Sequence, residues 1–489
     1  MILTHEEHDV QMLVVGFFVI ILSAPTAGAQ EEFLRSLAAN NPAEQTLDMR
    51  DVDKHSDKQD SNKQDNNKQD NDKQGMDMAA MDMSQPAPDW MPSPHNASGT
   101  GWQPAATPES MWMKSLGAWD LMAHGVVFVD YNQQGGPRGE GKAESVNWLM
   151  LMEQHTLGHG SILFREMFSA ESLTAPHPGF PELFQTGETY HGQPLVDHQH
   201  PHNVFSELAL YYTRPIRVPG EVPGKVPGTD TLSWEFYGAA VGEPALGPVA
   251  YMHRASASEL PMAPLSHHLQ DSTHISFGVI TTGLVINPFN ARFKIEGSVF
   301  NGRESDEKRY TIQFAPLDSW SARLSVAPSP NWTAQYSYGR LEHPEALEPG
   351  SQRRQTASVE YVRPFASGSW ATTLVWGRVH KEVDNHNLNS YLLETTANFK
   401  LHNYAFSRLE LVDKDELFPD NPLLPSFRIG AYTFGGARDL VRSRLWQLAL
   451  GADLTLYSKP SSLDPAYGKN PVSFQVFLRV RPALSHQEH

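Results

Sequence analysis

The stretch GETYHGQPLVDHQHPHNVF, residues 187–205, sets His191, His198, His200 and His202 beside Asp197, and a second stretch, LSHHLQDSTH, supplies His267, His268 and His274. Neutral imidazole is the commonest protein metal ligand and titrates near neutrality, so two such stretches brought together would bind a transition metal and release it in acid. Upstream, MDMAAMDM offers four thioethers, Met76, Met78, Met81 and Met83, between Asp77 and Asp82. Thioether sulfur is soft and selects Cu(I) over hard cations. The chain contains no cysteine, which excludes thiolate sites and a disulfide framework. ELVDKDELF gathers Asp413, Asp415 and Glu416, but it lacks the glycine and the regular spacing of a calcium loop and reads as a solvated strand end. No serine, histidine and carboxylate stand in the order of a nucleophilic hydrolase, so the chain is not read as an enzyme. The plainer alternatives are a hydrogen-bonded loop plug for the histidines and a low-complexity linker for the methionines.

What those residues can do depends on the elements that carry them. At 489 residues the chain is long enough for a large core. Acidic residues exceed basic ones by 18, which disfavours nucleic acid, since phosphate binding needs a basic face. Residues 12–30, MLVVGFFVIILSAPTAGAQ, have the apolar run and small-x-small ending of a secretory signal, although the acidic MILTHEEHDV precedes them. We expect a signal peptide over 1–29. From Asp51 the sequence becomes DKHSDKQDSNKQDNNKQDNDKQG, with no apolar residue to offset the entropy of ordering. Residues 30–110 are expected to be a disordered periplasmic segment.

From residue 111 to 482 the pattern changes. In RQTASVEYVRP, Ala357, Val359 and Tyr361 take one face and Thr356, Ser358 and Glu360 the other; VSFQVFLRVRP sets Phe474, Val476, Leu478 and Val480 against Ser473, Gln475, Arg479 and Arg481. Alternation over about ten residues exceeds the five or six of an average soluble strand and suits a tilted membrane strand. About 16 such segments occur, starting near 117, 143, 160, 203, 231, 273, 291, 320, 332, 354, 369, 390, 403, 426, 444 and 472. Short turns alternate with long loops between them, as in bacterial barrels. RPIRVPGEVPGKVPGTD, a long connection on the short side, is the exception. The expected fold is all-β: a closed antiparallel transmembrane β-barrel of about 16 strands, followed by a tail at 483–489. Lys294, Glu296, Glu360, Glu394, Lys400, Arg408, Glu410, Asp453, Arg479 and Arg481 share the polar parity. A basic residue facing mid-bilayer costs roughly 2–4 kcal/mol, so this parity should face the lumen, and its mixed signs argue against strong ion selectivity.

The runs GEPALGPVAYMHRASASELPMAPLSHHLQDSTHISFG, LEHPEALEPG, ELVDKDELF and DPAYGKNPVSFQVFLRVRP resemble an uncharacterised family of bacterial outer-membrane β-barrel proteins. The Met/Asp-bearing exported segment ahead of a barrel also resembles, in layout, the copper-resistance protein B family, whose members carry more Met/His repeats. These resemblances imply an outer-membrane location with lipid as partner and a permeation or metal-handling role, with copper tolerance as the specific expectation. Copper or another transition-metal ion is the ligand class, and Met76, Met78, Met81, Met83, His198, His200, His202, His267 and His268 are the expected ligands. The rival readings are a porin-like channel for small solutes without metal function and, with no motif in support, an outer-membrane hydrolase.

Overall fold

The computed structural model describes residues 96–216, 232–287, 291–421 and 423–483. The expected signal peptide, the Lys-Gln-Asp tract, Met76, Met78, Met81 and Met83 lie outside the described residues, as does most of the Val-Pro-Gly connection.

The alternating segments form one antiparallel sheet: β1 Met111–Leu116, β2 Trp119–Gln133, β3 Gly141–Glu144, β4 Asn147–Leu157, β5 Gly160–Phe168, β6 Phe205–Pro215, β7 Leu232–Gly242, β8 Ser276–Ile286, β9 Arg292–Asn301, β10 Ser319–Ser329, β11 Trp332–Leu341, β12 Gln352–Phe365, β13 Gly368–Lys381, β14 His386–Phe399, β15 Asn403–Lys414, β16 Phe427–Arg442, β17 Trp446–Ser458 and β18 Val472–Pro482. Each strand pairs with the next except at β3 and β4, which both pair with β2, and β2 returns to pair with β18, from Val127 opposite Val480 to Gln133 opposite Phe474. The sheet therefore closes and leaves no edge. β1 pairs with residues 119–124 of β2, just beyond the stretch that β18 covers, so β1 and β18 share one strand position. β3 and β4 share another along the opposite side of β2. Eighteen segments thus fill sixteen positions, and the expected strand starts lie within four residues of the observed ones.

The two faces follow the parity read from the sequence. β18 alternates exposed and buried residues almost throughout: Val476 and Leu478 lie outward, 45% and 42% exposed, whereas Gln475 and Arg479 are buried inside. Outward leucines and valines such as Leu284, Leu324, Leu374 and Leu450 make a continuous exposed apolar face, which only a lipid-facing barrel sustains. Exposed aromatics mark both rims, with Trp119, Trp332, Trp370 and Trp446 at the short-turn end and Tyr131, Trp320 and Phe474 at the long-loop end. The fold is a closed antiparallel barrel of the outer-membrane type.

Inside, cross-strand charges pair. Arg165 meets Glu207 at 2.8 Å, Arg323 meets Glu296 at 2.9 Å, Arg408 meets Glu394 at 3.2 Å and Arg479 meets Asp439 at 2.6 Å. Lys400 differs from expectation: β14 ends at Phe399, and Lys400 and Leu401 form the turn to β15 at positive φ, so Lys400 is exposed.

Residues 96–110 also differ from the expected disordered segment. They run against the inner wall, where Arg165 donates to the carbonyls of Ala97 and Gly99, Lys294 donates to the carbonyl of Thr100, and Arg323 donates to its hydroxyl at 2.9 Å. Trp102 packs with Val285 and Ala327 beneath the cations of Arg292 and Lys294. Composition gave no sign of this, because the segment has no strand or helix period and its anchors to the wall, Arg165, Lys294 and Arg323, come from distant strands.

Candidate functional site

The long connection between β7 and β8, residues 243–275, turns inward and crosses the lumen. Its anchors circle the wall. Ala245 and Gly247 donate their N–H groups to the hydroxyls of Ser298 and Ser337, Ser256 meets Thr373 at 2.7 Å, and Leu265 and Ser266 donate to Glu410. Glu259 accepts from Arg479 and Arg481. Arg254, fully buried, joins Asp271 of its own loop at 2.9 Å to Glu394 of β14 at 2.7 Å. The close fit is visible at Gly377 of β13, where a Cβ would stand 2.2 Å from the carbonyl oxygen of Leu269.

The second inward-packed loop, residues 169–204, carries the first histidine stretch. Asp197 fastens it: its carboxylate meets Arg138 at 2.6 Å and accepts from the Phe184 N–H at 2.7 Å, and its backbone is left-handed at φ 60°, a conformation that Asp tolerates better than most residues. Burial pushes the Asp197 carboxyl up despite Arg138. The two loops then meet, as the histidine chemistry required. His200 lies 5.7 Å from His268 between ring centroids, His202 lies 5.3 Å from His274, and His267 lies 5.3 Å from His268 and 5.1 Å from His274. Gly187, at φ 113°, permits the approach, since a Cβ there would stand 2.6 Å from Nδ1 of His268.

Three of these rings are fixed through Nδ1. His202 meets Glu171 at 2.6 Å, His267 meets Asp271 at 2.7 Å, and His274 faces the backbone carbonyl of Asp271 at 2.8 Å. In a neutral ring such contacts place the proton on Nδ1 and leave Nε2 as the acceptor. Burial first, then neighbouring imidazoles, push His268 and His274 well below the usual histidine range; burial also lowers His200, against the pull of Glu188. Burial opposes ionisation of Glu188, but His200 at 3.0 Å and Arg309 at 2.9 Å outweigh it and hold the carboxyl low. Ligand atoms of Glu188, His268 and Glu304 lie within 4.8 Å of one another.

Of the expected ligands, His200, His202, His267 and His268 are brought together, and His274 joins them. His198 is not. It lies on a two-residue strand paired with Pro181, its Nδ1 faces the carbonyl of Val196 at 3.0 Å, and among the described residues no ring contact links it to the other histidines. His198 and His200 are two residues apart and share a strand parity, so spacing alone gives no sign that His198 pairs with Pro181 instead of joining the cluster. Sequence reasoning missed Glu188 and Glu304. Glu188 lies one residue past Gly187 in the histidine stretch and was legible there; Glu304 comes from a separate loop, and no spacing signals it.

No family model matches the chain, and no curated protein matches it. Among solved structures it is similar to an anion-selective porin from Comamonas acidovorans, with 10% identity and a TM-score of 0.44 over 74% of this chain and 99% of that one. It is also similar to OmpF of Salmonella typhi, in a complex with daunomycin, with 9% identity and a TM-score of 0.44 over 76% and 100% of the two chains. The outer-membrane channel DcaP of Acinetobacter baumannii gives 9% identity and a TM-score of 0.42 over 75% and 99%.

Proposed function

We propose that this chain is a porin-like channel of the bacterial outer membrane for small solutes, with loop 243–275 as its constriction. One observation carries the reading: the buried Arg254 bridge from Asp271 to Glu394 holds the loop across a lumen lined by paired charges of both signs. Paired charges give little net field along the route, so selectivity between anions and cations is weak. An even number of strand positions brings residues 117 and 482 to the same, short-turn side; in this reading that side faces the periplasm, as short turns do in bacterial barrels, and the histidine-bearing loops face outward. Purified protein in planar bilayers tests this: stepwise conductance with a reversal potential near zero in a KCl gradient is expected, and folded protein that never conducts would refute it.

A second reading, metal handling at the outer mouth, is favoured by the convergence of Glu188, His268 and Glu304. The ligand class is copper or another transition-metal ion held by imidazole and carboxylate. Calorimetric titration of Cu(II) and Zn(II) into the full chain, compared with a Glu188→Gln/His268→Asn variant, decides it. Loss of one equivalent in the variant supports the site, and identical heats exclude it.

A further inference from the structure

A separate group of soft donors lines the wall toward the short-turn end. The register sets Met111 opposite His124, His124 opposite Met150, and Met150 opposite Met167, across β1, β2, β4 and β5. One step nearer the turns, Met113, Met122 and Met152 form an adjoining row. Residues directly opposite one another in a sheet share a face, with Cβ atoms about 4.5–5.5 Å apart, and the burial of Met122, Met150 and Met167 identifies that face as the lumen. Nε2 of His124 lies 3.1 Å from Sδ of Met150. Loop 243–275 then brings His253 to 5.9 Å from the His124 ring and 4.7 Å from Trp148, whose indole meets His124 edge-on at 5.1 Å.

Methionine fills irregular cores well, and that alone would explain one or two of these residues. It does not explain six of the chain's 16 methionines on one patch of four neighbouring strands. Nor does it explain a histidine set against sulfur, when His202 and His267 are each set against a carboxylate. Arg165, opposite Met152, is paired with Glu207 at 2.8 Å.

We propose that this patch is a coordination site for a soft monovalent cation, Cu(I) or Ag(I), held by the Met150 thioether and the imidazoles of His124 and His253. Thioether and neutral imidazole together select low-valent soft metals, and the indole of Trp148 packs beside both imidazoles. Met111, Met122 and Met167 supply further sulfur beside it. The site stands independently of conduction, so its test uses no electrical readout.

The test is anaerobic titration of Cu(I) into the chain from residue 30 onward against a competing chelator, with Met49, Met76, Met78, Met81, Met83 and Met91 all changed to Leu so that any sulfur ligand must come from residues 111–482. One Cu(I) per chain is expected, with both sulfur and nitrogen in the X-ray absorption first shell. Met150→Leu/His124→Phe should weaken binding at least tenfold. Met150→Leu alone, a volume-conserving change, should lower the sulfur count while the folded barrel keeps its heat-modifiable migration in gels. A tail-silenced chain that takes up no Cu(I), shows a shell without sulfur, binds unchanged in the double variant, or takes up Zn(II) equally at this patch would overturn the proposal.

Discussion

Changing Arg254 to Ala should open the channel. The guanidinium is fully buried and holds Asp271 at 2.9 Å, Glu394 at 2.7 Å and the carbonyl of Val249 at 3.1 Å. Breaking a buried ion pair by removing one partner costs about 3–5 kcal/mol, because the other charge is left uncompensated. Two features reduce the loss here: Glu394 keeps Arg408 at 3.2 Å, and Asp271 keeps His267 at 2.7 Å. The lower end, about 3 kcal/mol, therefore applies, and at about 1.4 kcal/mol per tenfold this shifts the ratio of undocked to docked loop about 100-fold. The loop keeps its contacts to Thr373, Thr396 and Glu410, so the barrel itself stays closed. Single-channel recordings should show longer and larger openings in the variant, and added protease should cut within residues 243–275. Unchanged conductance and unchanged cleavage in a folded variant would refute the loop as the constriction.

Further outcomes follow from the same geometry. Leu450→Lys, on the outward face of β17, should cost about 2–4 kcal/mol of barrel stability near mid-bilayer, read from urea unfolding in lipid vesicles; a neutral result would place that face away from lipid. Burial holds His200, His268 and His274 below the usual histidine range, so released loops take up protons first as pH falls through about 6.5, and docking, fully stable above that value, weakens below it. Hydrogen exchange within residues 198–204 and 267–274, corrected for intrinsic rates, should quicken between about pH 7.5 and 5.5; unchanged protection would contradict the shifts. A peptide of residues 74–86 should bind Cu(I) through Met76, Met78, Met81 and Met83 and keep it in mild acid, because thioethers need not lose a proton; affinity unchanged after all four are replaced would make the segment a linker.

The barrel was legible because its signal is local. Alternation of period two fixes which residue faces lipid, and a slip of one residue would bury Leu478 and expose Arg479 to the bilayer. The contents of the lumen were not legible, because they rest on contacts between residues far apart in the chain. Arg165 reaching Ala97, or Arg254 reaching Glu394, leaves no trace in either neighbourhood. The histidine site falls between these cases. Its residue types were visible in two stretches, but their meeting depends on Gly187 admitting His268, and His198 is held apart by its pairing with Pro181. The methionine rows had a readable sign in Met111 and Met113, and again in Met150 and Met152, each pair at strand spacing. Only the pairing of β2 with β1 on one side and with β4 on the other made them one patch.

The claim that loop 243–275 closes the route is tested most directly by tying it to the wall. Ser256 and Thr373 touch through their hydroxyl oxygens at 2.7 Å, and the chain has no cysteine of its own, so a Ser256→Cys/Thr373→Cys variant can form one bridge only. Oxidised, the variant should lose its conductance in planar bilayers, and reductant should restore it to the level of the parent protein. Equal conductance in the oxidised and reduced states, with the bridge confirmed by mass spectrometry, would contradict the account.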